Sequence, residues 1–171
     1  QREVLNATLA MEDVFAVLPT GAGKSLLYQL PGLVRPGLTL VVSPLVSLME
    51  DQVNKLVEAG VRASLLSADT TDRTQATAIQ NDAADPAQSG LRFLYVTPER
   101  IAKSKMLMSR LQKCHLSGQL SRVAVDEAHC CSAQGHDFRT DFLSLGSLRD
   151  TFPSVRDRAA ACTKRSRPVC T

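Results

Sequence analysis

At 171 residues the chain suits one domain with a single core. Its 44% hydrophobic and 22% charged residues exclude a disordered polymer, and no apolar run approaches the ~20 residues that span a bilayer. A net charge of +3 is too small to argue for nucleic acid by itself. Gln1–Leu9 has no basic stretch followed by an apolar core, so it does not read as a secretory signal. None of the five cysteines (Cys114, Cys130, Cys131, Cys162 and Cys170) forms a C-x-x-C pair. They read as reduced thiols inside a cell rather than a zinc site or a disulfide framework.

Apolar runs then alternate with amphipathic stretches, which predicts an α/β fold: a parallel sheet with helices on both faces. Strands are expected at Asp13–Pro19, Leu38–Pro44, Val61–Ser67, Leu91–Pro98 and Ser121–Ala128. Val, Leu and Ile fill them almost continuously, as in strands buried on both faces. Helices are expected at Lys24–Val34, Val46–Glu58, Thr74–Asp82 and Ile101–His115, with Pro36-Gly37 and Ala59-Gly60 as stops. Asp82–Gly90, small and polar, reads as a surface loop. Residues 1–155 form the expected domain. Residues 156–171 carry Arg156, Arg158, Lys164, Arg165 and Arg167 with no apolar period, and read as a divergent, disordered basic tail where a sixth strand was due.

The first chemical signal is Pro19-Thr20-Gly21-Ala22-Gly23-Lys24-Ser25, between a strand and a helix. Glycines at 21 and 23 allow tight turns that aim backbone N–H groups at a phosphate, and the helix N-terminus adds partial positive charge. Lys24 would reach the β- and γ-phosphates of ATP, and the Ser25 hydroxyl would hold Mg²⁺. The general pattern G-x-x-x-x-G-K-[ST] wants glycine where this chain has Leu18. That departure disfavours generic P-loop kinases and transporters. A chance Gly-rich turn is the bland alternative, and the strand before and helix after argue against it.

The second signal is Val123-Ala124-Val125-Asp126-Glu127-Ala128-His129, closing the fifth strand. Asp126 can hold the Mg²⁺ shell, and Glu127 can orient and deprotonate the attacking water. Phosphoryl transfer asks chiefly for positioning and charge neutralisation, so this is a sufficient set. Alone, an Asp-Glu pair is more often a solvated turn. Beside a phosphate loop, and after an apolar strand, it reads as catalytic.

Together these residues resemble the nucleotide site of superfamily 2 helicases, and further motifs narrow the resemblance to the RecQ family. Ser25–Pro31 reads Ser-Leu-Leu-Tyr-Gln-Leu-Pro, similar to the family's continuation of the phosphate loop. Gln1 precedes Pro19 by the interval at which the family carries its adenine-reading glutamine. Val41–Val53 resembles motif Ia, Tyr95–Arg100 resembles motif Ib, and Asp126–Arg139 resembles motif II running into the family's aromatic-rich loop. Ile101–Arg110 is most like the short eukaryotic members. The resemblance implies a RecA-like lobe in which Gln1, Thr20, Gly21, Ala22, Gly23, Lys24 and Ser25 bind ATP, Ser25 and Asp126 hold Mg²⁺, and Glu127, Asp126 and Lys24 are catalytic. It also implies that Ser43, Pro44, Thr97 and Pro98 approach single-stranded DNA, and that His136, Phe138 and Arg139 lie in the loop coupling DNA to hydrolysis. Read without it, Ser43-Pro44 and Thr97-Pro98 pass as ordinary strand-ending turns. The implied location is the nucleus, or the cytoplasm for a bacterial protein.

Two departures stand out. The family's loop reads Ser-Gln-Trp-Gly-His-Asp-Phe-Arg-Pro-Asp-Tyr, whereas this chain has Gln134 at the tryptophan and no tryptophan anywhere. Stacking a base on an aromatic is worth roughly 1–3 kcal/mol, so the exchange bears on coupling to DNA. After Val155 the resemblance is expected to stop, because the apolar strand and the Thr-Ala-Thr of motif III are not found. Arg156-Asp157-Arg158-Ala159 is what Val-Ile-Ala-Leu becomes when its codons are read one nucleotide out of frame. The resemblance further implies a second RecA-like lobe, with an arginine finger, beyond this one. The reading is therefore the ATP-binding motor lobe of a 3′→5′ DNA helicase that acts on single-stranded or 3′-overhang DNA. The alternative is an inactive nucleotide- or DNA-binding fragment, and an unrelated P-loop ATPase is weakened by Leu18 and the placement of Gln1.

Overall fold

A computed structural model describes residues 1–19, 21–67, 70, 72–127, 146–153, 155 and 158–163. Among them the order is α1 (Arg2–Leu9), β1 (Val14–Leu18), α2 (Leu26–Val34), β2 (Leu38–Val42), α3 (Val46–Glu58), β3 (Ala63–Leu66), α4 (Arg73–Ala84) and α5 (Pro86–Ser89). There follow β4 (Phe93–Val96), α6 (Pro98–Lys103), α7 (Lys105–Leu116), β5 (Leu120–Val125), α8 (Gly146–Thr151) and β6 (Arg158–Thr163). The six strands form one sheet in the order β1-β6-β5-β2-β4-β3, with every pairing parallel.

Period-two alternation builds a core on each face. On one side Leu38, Leu40 and Val42 of β2 join Leu94 and Val96 of β4, beneath Leu107 and Leu111 of α7. On the other, Val41, Phe93 and Tyr95 meet Tyr28 of α2 and Met49 and Leu56 of α3. All of β2 and β4 is buried, as their unbroken apolar sequence predicts. Each large side chain so buried contributes roughly 1.5–3 kcal/mol. Helix α2 lies close on the sheet at Gly32, where a Cβ would stand 2.6 Å from Thr39 Oγ1 and 2.8 Å from the Phe93 ring. Arg92 fastens the far end of α2 by donating to the carbonyls of Gly32 at 2.7 Å, Leu33 at 3.2 Å, and Arg35. A guanidinium there satisfies orphan carbonyls and complements the helix dipole.

Several expectations are corrected. Residues 158–163 are not part of a strandless tail: they form β6, with Val14 opposite Ala159 and Val123 opposite Arg158. A strand without an apolar period forms here because two parallel neighbours supply its hydrogen bonds from both sides. Residues 164–171 lie outside the described residues. Asp82–Gly90 is not a loop, since α4 runs to Ala84 and a further helical turn spans Pro86–Ser89. That turn has Asp85 as cap, Pro86 at its start and Gly90 at φ +76 as its stop. The single helix expected over Ile101–His115 is two, broken at Ser104, whose hydroxyl accepts from Leu107 N–H at 3.3 Å. Helices α1 and α8 had no sequence expectation; Phe152, just after α8, meets the His115 ring edge-on at 5.4 Å. Among the described residues, no helix is long and apolar enough to cross a membrane.

Candidate nucleotide site

The carboxyl ends of β1 and β5 bring the two chemical signals together. After β1 the chain turns through Gly21 at φ +78 and Gly23 at φ +71, a left-handed backbone that costs any other residue roughly 1–2 kcal/mol. Ala22 N–H donates to Pro19 C=O at 3.2 Å, closing the loop before α2 begins at Leu26. From the far end of β5, Glu127 Oε1 receives Lys24 Nζ at 3.0 Å, with the two side chains only 15% and 12% exposed. The cation suited to a phosphate and the carboxylate suited to a water thus share one point.

Asp126 is buried, and its N–H donates to Val42 C=O at 2.8 Å, which ties the acidic pair to the central strand β2. Its carboxylate accepts the Glu127 N–H at 2.9 Å. Glu127 itself sits at φ +52, a conformation that a glutamate adopts only when its surroundings enforce it. Hard oxygen donors in Ser25 and Asp126, beside one ammonium and a turn of backbone N–H groups, fit a polyphosphate carrying a divalent cation.

Gln1 reaches the same loop. Its side-chain amide donates to Ala22 C=O, and a Cβ added at Gly23 would stand 2.9 Å from Gln1 Nε2. Helix α1, which the sequence did not reveal, delivers it; Arg35 holds that helix by donating to Leu9 C=O at 2.9 Å.

The turns expected to face DNA lie at the same carboxyl edge, after β2 and β4. Ser43, Pro44, Thr97 and Pro98 are all buried. Thr97 Oγ1 accepts from Arg100 N–H at 3.3 Å and caps α6, so its side chain has a structural task. Ser43 Oγ is buried with no hydrogen-bond partner among the described residues. Thr20, His136, Phe138, Arg139 and Gln134 lie outside the described residues.

Sequence reasoning missed a polar cluster beneath the loop. Tyr28 and Tyr95, nearly inaccessible, belong to the same buried cluster. Gln29 Nε2 donates to Tyr95 Oη at 3.0 Å and to Gln52 Oε1 at 2.6 Å. Burial, with the Asp126 charge adding to it, holds the Tyr28 phenol well above its usual range and pushes Tyr95 up to about 12. Both tyrosines stand inside the recognised motifs, but nothing in a linear pattern marks two residues as partners. Elsewhere, burial pushes the Cys114 thiol up to about 12. Among the described residues, no group of three or more His, Cys, Asp or Glu side chains is placed to hold a metal ion.

With this geometry, residues 1–163 match the family model of the DEAD/DEAH box helicases, and the chain belongs to that family. Within it the similar proteins are of the RecQ type. The chain is 50% identical over 155 residues to the ATP-dependent DNA helicase Q1 of Rattus norvegicus, covering 91% of this chain and 25% of the relative. It is 45% identical over 168 residues to the RecQ-like DNA helicase BLM of Xenopus laevis, covering 98% of this chain and 12% of that protein. The matches to the helicase Q1 relatives span 155 residues, whereas the match to the BLM relative is longer and the family model runs to residue 163, the last residue of β6. The chain spans about a quarter of the length of the helicase Q1 relatives it matches. Among solved structures, the DUF1998 helicase MrfA superposes with a TM-score of 0.69 at 18% identity, over 95% of this chain and 26% of that one. The Pyrococcus furiosus Hef helicase domain does so at 0.55 and 16% identity, over 99% and 33%. Both show the same fold: a parallel sheet flanked by helices, the helicase RecA-like lobe.

Proposed function

We propose that this chain is the ATP-binding motor lobe of a RecQ-like 3′→5′ DNA helicase, in which ATP hydrolysis is coupled to DNA unwinding. The observation that carries the reading is the 3.0 Å approach of Lys24 Nζ to Glu127 Oε1, between a glycine turn and a buried aspartate. In this reading Lys24 neutralises the terminal phosphates, and Thr20, Gly21, Ala22 and Gly23 cradle them. Gln1, already anchored to the loop, selects adenine. Ser25 and Asp126 hold Mg²⁺, which when bound offsets charge on the phosphate oxygens. Glu127 orients the attacking water and takes its proton, and the left-handed backbone at φ +52 fixes where that carboxylate points.

DNA is the proposed partner, as single strand or as duplex with a 3′ overhang. It would cross the carboxyl edge of the sheet at Ser43-Pro44 and Thr97-Pro98, with His136, Phe138 and Arg139 reporting its presence to the nucleotide. Because Ser43 and Thr97 are turned inward, the backbone of these turns is the surface offered to the strand. In the complete protein a second RecA-like lobe would close on the same phosphates with an arginine, and the eukaryotic relatives point to the nucleus. The division into a motor lobe over residues 1–155 and a separate continuation from 156 is better drawn after β6, which belongs to the sheet.

The test is titration of a fluorescent ATP analogue with Mg²⁺ into the chain and into Lys24→Ala. A charge-assisted hydrogen bond contributes about 1.5–3 kcal/mol, so the variant should bind roughly tenfold or more weakly. Equal affinities would remove the nucleotide-site assignment.

A further inference from the structure

We propose that the free edge of β3 is a docking groove for an extended, basic segment of a partner polypeptide, which joins the sheet there as an added strand. The inference does not depend on the nucleotide reading, since β3 and β1 are the two opposite ends of the sheet.

Among the described residues β3 is paired on one side only, with β4. The carbonyls of Arg62 and Leu66 accept from Arg92 N–H at 2.9 Å and Thr97 N–H at 3.3 Å, so the even-numbered residues of this strand face β4. By the two-residue period of a strand, the backbone N–H and C=O groups of Ala63 and Leu65 point the other way. Their neighbours in that direction are closed off. Val61 N–H donates to Leu56 C=O at 2.8 Å, and Ser67 N–H to Thr70 Oγ1 at 3.0 Å. No such closing bond is present at Ala63 or Leu65 among the described residues. Two donors and two acceptors are therefore set out for a further strand, between two capped ends.

This edge is the floor of a groove of about 760 Å³ whose walls are α3 and α4. On the α3 wall Val46 and Val53 flank Glu50 at helical spacing, and Asp72, Gln75 and Ile79 line the other. A single extended segment fits between such walls, whereas they hold off the edge of a second helix-covered sheet. The lining chemistry then selects the segment. It includes two carboxylates and no lysine or arginine. Asp72 engages Oδ1 in capping α4, where it accepts from Thr74 and Gln75 N–H, and keeps Oδ2 for a ligand. Val46 and Val53 offer an apolar bed to the stem of a Lys or Arg whose head meets Glu50. Side chains of an added strand alternate between the two walls. The recognised class is thus an extended segment with Lys or Arg at every second position and small or hydroxylated residues between them. A nucleic-acid strand would be repelled by the same carboxylates.

The test is fluorescence anisotropy of the full chain with a labelled peptide of alternating lysine and threonine. Binding should saturate, with a Kd below about 1 mM. Exchanging the lysines for glutamates, or methylating the peptide's backbone nitrogens while keeping every charge, should weaken it by about tenfold or more. Glu50→Lys, at an exposed position, should lower affinity for the lysine peptide by about threefold or more and raise that for the glutamate peptide. The peptide exchanges carry the test if that variant does not fold. Amide exchange followed by NMR should find Ala63 and Leu65 N–H fast in the free chain and slowed by the lysine peptide, with Ser64 N–H, which faces β4, unaffected. Absence of saturable binding overturns the proposal, as does equal binding of the methylated peptide or an unchanged preference in Glu50→Lys. Ala63 and Leu65 amides already protected in the free chain overturn it too. Protection that grows with protein concentration would place a second copy at the edge, and protection independent of concentration a segment of the same chain.

Discussion

Lys24 and Glu127, 103 residues apart in the chain, meet at 3.0 Å at the carboxyl edge of the sheet, one beyond β1 and the other beyond β5. Neither side chain is more than 15% exposed, so the pair lies between a screened surface bridge and a buried one. Removing one partner leaves a charge in a partly desolvated place. Lys24→Met and Glu127→Gln should each lower stability by about 1–2 kcal/mol, and the double variant should lose less than the sum of the two. Urea unfolding of the four proteins checks this; strict additivity would show that the pair makes no net contribution.

The two loop glycines are both left-handed but do not face the same neighbours. Nothing stands within 4 Å of a Cβ at Gly21, while one at Gly23 would meet Gln1 Nε2 at 2.9 Å. Both Gly→Ala variants should be strained by about 1–2 kcal/mol. Gly23→Ala should in addition push the flexible Gln1 side chain off Ala22 C=O, losing a hydrogen bond worth about 0.5–1.5 kcal/mol. Adding Gln1→Ala should then cost little further nucleotide affinity in Gly23→Ala, but a full increment in Gly21→Ala. Analogue titrations across the set test this, and equal increments would show that Gln1 is not engaged through this contact.

How much of this was legible beforehand follows from the range of each signal. The strands from β1 to β5 and helices α2 and α3 announce themselves by local period, and Lys24, Ser25, Asp126 and Glu127 by short motifs. The turn at Pro86–Ser89 was legible in principle, since Asp85, Pro86 and Gly90 are start and stop signals, but four residues carry no period. Strand β6 was not, because Arg158-Ala-Ala-Ala-Cys-Thr163 is a strand only by virtue of β1 and β5 on either side. The Gln29–Tyr95 and Gln29–Gln52 pairs depend on three-dimensional neighbours, which a sequence without its fold does not name. The burial of Ser43 and Thr97 is of the same kind: the motif marks the turn but not which way its side chains point.

Cys114 offers a pH test outside the site. Burial on α7 raises its thiol from 9.0 to about 12. Between those values the unfolded chain has lost the proton and the folded chain has kept it. The folded state therefore binds more protons, and stability from this group is complete below pH 9 and falls as pH rises toward 12, by at most about 1.4 kcal/mol per pH unit. Cys114→Ala should flatten that part of the stability profile. In peptide-resolved alkylation at pH 8.5, Cys114 should remain unmodified until urea unfolds the chain. Rapid modification in the native protein would contradict its placement against the core.

The 171-residue polypeptide alone should bind ATP weakly and should not unwind DNA. Its nucleotide groups, Lys24, Ser25, Asp126 and Glu127, all approach from one side of the proposed phosphate position. In related nucleotide-hydrolysing sites an arginine supplied from the opposite side is worth about 10³–10⁵ in rate. Here that role is assigned to a second lobe. Translocation has the same requirement, since two bodies must change their separation with nucleotide state, and one lobe has nothing to close against. The full sheet, with β6 in place between β1 and β5, means that inactivity would not follow from an incomplete fold. The measurement is strand displacement on a duplex with a 3′ overhang, using purified chain, ATP and Mg²⁺, alongside a Glu127→Gln control. Absence of unwinding, with nucleotide binding intact, is the expected result. Robust unwinding that disappears in Glu127→Gln would show instead that one lobe, acting alone or in several copies, is enough to separate strands.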